Sequence, residues 1–177
     1  MLDSLRIRVR GLATMHRSLY SSPEMTTVPA GDMIETLVND LASVAGQRDL
    51  DVQLRLEPVE LYPDQAVPLS MLVAETVTNA VKYAGRNTDG ETFIRVGLGI
   101  DDTALVLLRV ENSVPPAAAG SDPDREPAGD GLGTRLIAAF EQQLRGQSTI
   151  SQTDRTYLFE LRFQRRDFEA DAADPTA

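Results

Sequence analysis

The segment ETVTNAVKYAG, residues 75–85, combines the spacing of a buried helix with three polar side chains on one line. At about 100° per residue, one face of the helix predicted over residues 66–84 is apolar and is expected to cover a sheet. That face consists of Leu69, Leu72, Val73, Thr76, Val77 and Ala80. Glu75, Asn79 and Lys82 fall within about 60° of one another on nearly the opposite side. Spacing alone favours a solvated polar face, but Lys82 is the only lysine of the chain, which draws attention to a ligand-binding role.

A second feature is the glycine cluster GDGLGTRLI, residues 129–137, which follows a long loop and opens a helix. Glycines let backbone N–H groups approach an anion closely, and a helix N-terminus adds partial positive charge. A glycine-rich loop end is common, so the cluster is weak evidence alone. Together with an amide that suits Mg²⁺ and an ammonium that suits phosphate, it predicts two walls of a nucleotide pocket.

Composition limits the classes of protein that fit. The chain of 177 residues is long enough for one domain with an extra element. Its net charge of −10 argues against general nucleic-acid binding, and no apolar run is long enough for a membrane helix. The absence of cysteine excludes disulfides and fits a cytoplasmic protein, and a single histidine argues against a multi-histidine metal site.

Periodicity divides the chain into helical and extended segments that do not strictly alternate. Helices are predicted over residues 3–20, from a capping box at Asp32 and Glu35 to about residue 44, over 66–84 and over 132–144. Strands are predicted over residues 52–56, 94–98, 104–110, 149–152 and 156–163. This order predicts an α+β fold, a two-layer sandwich in which helices cover one face of a mixed β-sheet, preceded by an N-terminal helix.

Three motifs resemble those of one family. ETVTNAVKYAG is similar to the N box, E-x-x-x-N-A-x-K-[HY], of the ATP-binding domain of sensor histidine kinases, a fold shared with gyrase, Hsp90 and MutL. GDGLGTRLI resembles the second glycine box of that domain. The N-terminal stretch IRVRGLATMHRSLYSS is similar to R-[IV]-x-A-L-A-x-x-H-x-x-L-Y, the second helix of the phosphoacceptor hairpin in kinases with HisKA_2-type dimerisation domains. The likeness covers roughly residues 5–163.

The resemblance implies catalytic roles for two N-box residues. Asn79 would hold Mg²⁺ where it bridges the phosphates of ATP, and Glu75 would position or activate water near the metal and the γ-phosphate. Lys82 would contact phosphate, with Tyr83 near the nucleotide. The implied reaction is in-line transfer of the γ-phosphoryl group to a histidine.

The resemblance also implies that residues 115–128 form a lid over the triphosphate. The lid would hinge on Gly129, Gly131 and Gly133, with Leu132 and Thr134 at the start of the helix that follows.

Two departures from the family pattern keep other functions open. The adenine-reading box V-x-D-x-G-x-G occurs as residues 110–116, with Asn112 in place of the aspartate and with Val114 and Pro116 in place of the glycines. The phosphoacceptor histidine of the first hairpin helix is missing, and His16 matches the structural histidine of the second helix. A degenerate binding module or histidine phosphotransferase that docks a response regulator is therefore the alternative, and an anti-sigma-factor serine kinase is more distant.

The resemblance divides the chain into three parts and implies its partners. Residues 1–28 would form the second dimerisation helix, 29–166 the ATP-binding domain and 167–177 an acidic disordered tail. The implied partners are ATP, Mg²⁺ and a response regulator, with a possible homodimer through the N-terminal helices. The net charge and the lack of a long apolar run predict no nucleic acid and no membrane in this segment.

Overall fold

The computed structural model describes residues 27–45, 49–116 and 132–166. The helix predicted over residues 3–20, His16, most of the predicted lid and the acidic tail lie outside these ranges. The described residues form three helices, α1 (Ala30–Ala45), α2 (Pro63–Tyr83) and α3 (Leu132–Leu144). They also form seven strands: β1 (Val28–Pro29), β2 (Asp51–Leu56), β3 (Glu60–Leu61), β4 (Phe93–Ile100), β5 (Val106–Ser113), β6 (Gln147–Gln152) and β7 (Thr156–Phe163).

Five of the strands form one mixed sheet in the order β2-β4-β5-β7-β6. β2 and β4 are parallel, with α2 in the connection between them, and the other neighbours are antiparallel. Parallel neighbours need a long crossover, whereas the hairpins β4–β5 and β6–β7 need only the short turns that the sequence indicates. The predicted α+β sandwich with a mixed sheet is confirmed.

The core lies between the helices and one face of the sheet. Along β5 the side chains of Val106, Leu108 and Val110 are buried on that face, whereas Arg109 lies exposed on the other. The helices contribute fully buried residues such as Ile34 of α1 and Leu72 of α2. Burying each such aliphatic side chain stabilises the fold by about 1.5–3 kcal/mol. Because alternate residues of a strand point to opposite faces, the face that carries these side chains is the one that packs against the helices.

The start of α1 differs from the prediction. The helix begins at Ala30, whose N–H donates to the Val59 carbonyl at 2.8 Å, so Asp32 lies within the first turn and not at the cap. The predicted capping box is therefore wrong. A backbone contact from a distant segment satisfies this helix end, and local sequence does not reveal such a contact.

The structure also contains a two-stranded sheet that periodicity does not predict. Val28 of β1 pairs with Leu61 of β3, and Pro29 pairs with Glu60. Strands of two residues are too short to show an alternating pattern. This small sheet joins the segment just before α1 to the segment just before α2.

Candidate functional site

The predicted polar line on α2 runs from the inside of the protein to its surface. Glu75 is buried, with 1% of its surface exposed, Asn79 is half-buried and Lys82 is exposed. Every residue from Leu72 to Val77 is buried, because α1, α3 and the sheet all pack against this part of the helix. A fully solvated polar face is therefore the wrong interpretation for the Glu75 end of the line.

Gly133, the second residue of α3, packs directly over Glu75. A Cβ atom on Gly133 would lie 3.2 Å from Oε2 of Glu75, closer than an ordinary van der Waals contact. The absence of a side chain at this position thus lets the start of α3 approach the carboxylate. The structure brings together one residue of the predicted N box and one residue of the predicted glycine box.

Asn79 and Lys82 occupy the outer half of the line. Among the described residues, none forms a hydrogen bond with the half-buried carboxamide of Asn79. The ammonium of Lys82 donates to the Tyr83 hydroxyl at 3.0 Å and lies 4.7 Å from the centre of its ring. Tyr83 is 47% exposed, so this pair stands at the protein surface. A polar group without a fixed intramolecular partner is available to a ligand.

The remaining site residues of the glycine box are only partly described. Gly129 and Gly131 lie outside the described residues, and Leu132 is described only as the first residue of α3. Thr134 is exposed in the first turn of α3. The roles predicted for these four residues remain predictions.

The end of α2 is attached to the end of β5. The Gly85 N–H donates to the Ser113 carbonyl at 3.2 Å, just after α2 ends, and the ring of Pro115 packs on Gly85. Ser113 in turn accepts a hydrogen bond from the Phe93 N–H through its hydroxyl at 2.9 Å. These contacts hold the Asn112 segment next to the last turn of the helix that carries Asn79.

The carboxamide of Asn112 is oriented by the backbone. Asn112 is 2% exposed, and its Nδ2 donates to the Ser113 carbonyl at 2.9 Å. Because a carbonyl oxygen can only accept, the nitrogen must face Ser113, and Oδ1 is directed elsewhere. Oδ1 receives no hydrogen bond within residues 27–45, 49–116 and 132–166. A nearly buried acceptor of this kind is expected to meet a donor, which a bound ligand can supply.

Tyr157 is a neighbour of this acceptor that the sequence analysis did not identify. It is the cross-strand partner of Asn112 on β7, and Ile94 is the partner on β4; all three residues lie on the helix-facing side of the sheet. Burial raises the pKa of the Tyr157 phenol, which therefore stays a neutral donor at physiological pH. The register of β7 against β5 would have been needed to find it.

Gly85→Ala is expected to lower the free energy of unfolding by about 1–3 kcal/mol. The new Cβ would lie 2.8 Å from Cδ of Pro115 and 3.1 Å from its Cγ, and neither the proline ring nor the attached backbone can move aside easily. Denaturant unfolding followed by circular dichroism measures the change. Gly31→Ala is the matched control, since its Cβ would be 3.4 Å from the nearest atom, and it should be neutral or stabilising. Equal stabilities for the two variants would contradict the contact.

Residues 27–45, 49–116 and 132–166 contain neither a metal-binding cluster nor a membrane-spanning helix. No group of three or more His, Cys, Asp or Glu residues there is arranged to hold a metal ion. None of the described helices is long and apolar enough to cross a membrane.

The N-terminal quarter of the chain matches a family model. Residues 1–45 match HisKA_2, described as histidine kinase. No curated protein sequence matches the chain.

Solved structures share the fold. The histidine kinase domain of the Erythrobacter litoralis EL346 blue-light activated histidine kinase matches with a TM-score of 0.74 at 19% identity, covering 91% of this chain and 79% of that one. The catalytic domain of histidine kinase ThkA matches with a TM-score of 0.61 at 16% identity, covering 79% and 95%. The Acinetobacter baumannii histidine kinase AdeS matches with a TM-score of 0.55 at 16% identity, covering 90% and 77%.

These TM-scores show a common fold, and the family match concerns the N-terminal segment. The chain also spans 54% of a longer chain of the Erythrobacter kinase. Residues 1–45 are thus similar to the HisKA_2 histidine kinase family, and the chain shares the fold of histidine kinase catalytic domains.

Proposed function

We propose that this chain binds Mg²⁺-ATP and is the catalytic part of a two-component sensor histidine kinase. In this role it transfers the γ-phosphoryl group of ATP to a histidine, from which a response regulator receives it. The acceptor histidine belongs to another segment or another chain, since His16 matches the structural histidine of the dimerisation helix. A cytoplasmic location and a homodimer through the N-terminal helices are parts of the same proposal.

The observation that carries the proposal is the approach of Gly133 to Glu75. Two motifs more than fifty residues apart in sequence meet at a buried carboxylate, with a Cβ on Gly133 only 3.2 Å from Oε2. Desolvation of a buried carboxylate is costly even when it has a partner, so its presence at this position calls for a reason beyond packing. A general base or water-positioning group beside a glycine-built helix start is such a reason.

The outer part of the line offers the groups that a triphosphate requires. Asn79 would ligate Mg²⁺ through its side-chain oxygen, and phosphate oxygens would complete the coordination, as is usual for this ion. When bound, Mg²⁺ neutralises developing charge on the transferred phosphoryl group. Lys82 can reach phosphate by leaving the Tyr83 hydroxyl, because both side chains are exposed and their contact is weak.

Asn112 would recognise the base. Its oriented Oδ1 is an acceptor suited to the amino group of adenine, and Ile94 and Tyr157 flank it on the same face of the sheet. Tyr83 near the mouth of the site would lie beside the nucleotide. The start of α3, with Leu132, Gly133 and Thr134, and the preceding Gly129 and Gly131 would seat the lid.

A second candidate is a degenerate module that docks a response regulator without tight ATP binding. The packing of Pro115 on Gly85 favours it, because this junction is rigid where the family pattern has glycines at positions 114 and 116. A rigid junction restricts the adjustment of the adenine box around a ligand.

Titration with a fluorescent ATP analogue in the presence of Mg²⁺ tests the proposal. We expect binding in the micromolar range that Asn79→Ala abolishes, because the ion loses its protein ligand. Asn39→Ala, an exposed asparagine on α1, is the matched control and should bind as the unmodified protein does. Absence of binding at millimolar nucleotide would favour the docking module instead.

A further inference from the structure

The face of the sheet that the helices leave uncovered carries a row of residues centred on a glycine. Gly97 of β4 pairs with Arg55 of β2 on one side and with Arg109 of β5 on the other. The next row on the same face pairs Arg95 of β4 with Gln53 and with Glu111. Three arginines thus surround a position that has no side chain.

This arrangement produces a shallow groove of about 440 Å³. We call it the arginine groove; its lining residues are Gln53, Arg55, Arg95, Val96, Gly97, Arg109, Glu111 and Leu158. Neighbouring strands lie about 4.8 Å apart, so Arg55 and Arg109 emerge about 10 Å apart on either side of the gap. That separation leaves room for a carboxylate or a similar group between two guanidinium groups.

The three arginines differ in how they are held. Arg109 pairs with Glu160 at 2.7 Å, and Arg95 pairs with Glu111 at 3.4 Å while its guanidinium stacks 3.8 Å above the Phe93 ring. Arg55 is exposed and forms no ion pair with any described residue. Ordinary cross-strand ion pairing accounts for Arg95 and Arg109, but it explains neither Arg55 nor a glycine in mid-strand.

The charge of the groove opposes that of the whole chain. The arginines Arg55, Arg95 and Arg109 and the glutamates that pair with them, Glu111 and Glu160, sum to 3 − 2 = +1, whereas the chain carries −10. No described carboxylate pairs with Arg55, so an anionic partner would meet an unbalanced positive charge there.

We propose that the arginine groove binds an extended acidic segment of a partner protein. Arg95 and Arg109 on this face already pair with glutamate carboxylates of neighbouring strands. Carboxylates are therefore groups that the arginines of this face bind. In an extended chain, alternate side chains lie about 7 Å apart, which matches the distance between the Arg95 row and the Arg55–Gly97–Arg109 row.

This proposal is independent of the proposed kinase function, because the sheet separates the groove from the helix-side site. Asn112 and Glu111 are successive residues of β5 and face opposite sides of it. A segment bound in the groove therefore does not compete with nucleotide for space.

Fluorescence anisotropy with a labelled octaglutamate peptide, titrated with the full chain, tests the proposal. We expect binding that weakens as salt is raised, and no binding of the matching octaglutamine peptide. Arg55→Glu should weaken binding about 3- to 10-fold, because it replaces one exposed ionic contact by repulsion. Gly97→Val should weaken it as well, since the added side chain fills the gap, while its thermal stability should not fall.

Arg135→Glu, the same charge change at an exposed position of α3, is the matched control and should leave peptide binding unchanged. Equal losses in Arg55→Glu and Arg135→Glu, or no octaglutamate binding at millimolar concentration, would overturn the proposal. Equally tight binding of a single-stranded oligonucleotide with the same dependence on Arg55 would replace the peptide by a nucleic acid. The ATP-analogue titration is expected to be unaffected by Arg55→Glu, so the two proposals fail separately.

Discussion

Glu75→Gln is expected to lower Mg²⁺-ATP turnover by about 10²- to 10⁴-fold, the usual contribution of a general base. Glutamine has nearly the shape of glutamate, so it can keep the packing beneath Gly133, where a Cβ would already lie 3.2 Å from Oε2. It cannot accept a proton from water or from an attacking nitrogen. The fold should therefore survive while the chemistry is lost.

Turnover is measured as ADP release, and stability as the midpoint of thermal unfolding. Glu35→Gln, an exposed glutamate on α1, is the matched control and should change neither quantity. We expect the midpoint of Glu75→Gln to stay within about 5 °C of the unmodified protein. Unchanged turnover would remove Glu75 from the catalytic group, and a much larger fall in the midpoint would make it a structural residue.

Much of the fold follows from local periodicity. The predicted helix over residues 132–144 and the predicted strand over 156–163 coincide with α3 and β7, and the turn at Asp101 has a local cause. Its Oδ1 accepts hydrogen bonds from the Thr103 hydroxyl at 2.6 Å and from its N–H at 2.9 Å. The Thr103 hydroxyl is the main reason that the pKa of Asp101 lies below its usual value. Turns that depend on contacts between residues this close in sequence can be predicted from the local sequence.

Burial of the site could not be predicted in the same way. Helical spacing places Glu75, Asn79 and Lys82 on one line. It does not predict that α3 covers Glu75 and leaves Lys82 exposed. That difference depends on a helix that begins more than fifty residues later and on the glycine that lets it approach. Helical spacing alone therefore does not predict the burial of residues that distant segments of the chain cover.

Strand register is the second feature that could not be predicted from the sequence. Tyr157 lies beside Asn112, and Arg55 lies across Gly97 from Arg109, only because of the pairings in the sheet. A shift of one residue would move every one of these side chains to the other face. Alternation in each strand predicts which residues share a face, and pairing decides which residues meet.

Asn112→Leu is expected to weaken ATP binding by about 10- to 100-fold, the effect of losing one buried hydrogen bond. Leucine has the same number and branching of side-chain heavy atoms, so the strand end should remain packed, but no acceptor remains for the adenine amino group. Guanine carries a carbonyl oxygen where adenine carries the amino group, and Oδ1 of Asn112 repels it. The variant should therefore lose preference for ATP over GTP, measured by competition of each nucleotide with the fluorescent analogue. Retained preference would show that another group reads the base.

Asn112→Asp restores the family residue, yet we expect it to be harmful in this chain. The nitrogen that donates to the Ser113 carbonyl at 2.9 Å would become an oxygen, and two acceptors would then face each other at a position that is 2% exposed. Leaving buried acceptors without a donor costs about 1–3 kcal/mol, so the free energy of unfolding should fall by that amount with no gain in ATP affinity. Asn39→Asp on the exposed side of α1 is the matched control and should be neutral. If Asn112→Asp instead binds ATP more tightly at unchanged stability, the Ser113 contact does not orient the carboxamide, and the base is recognised as in kinases with the aspartate.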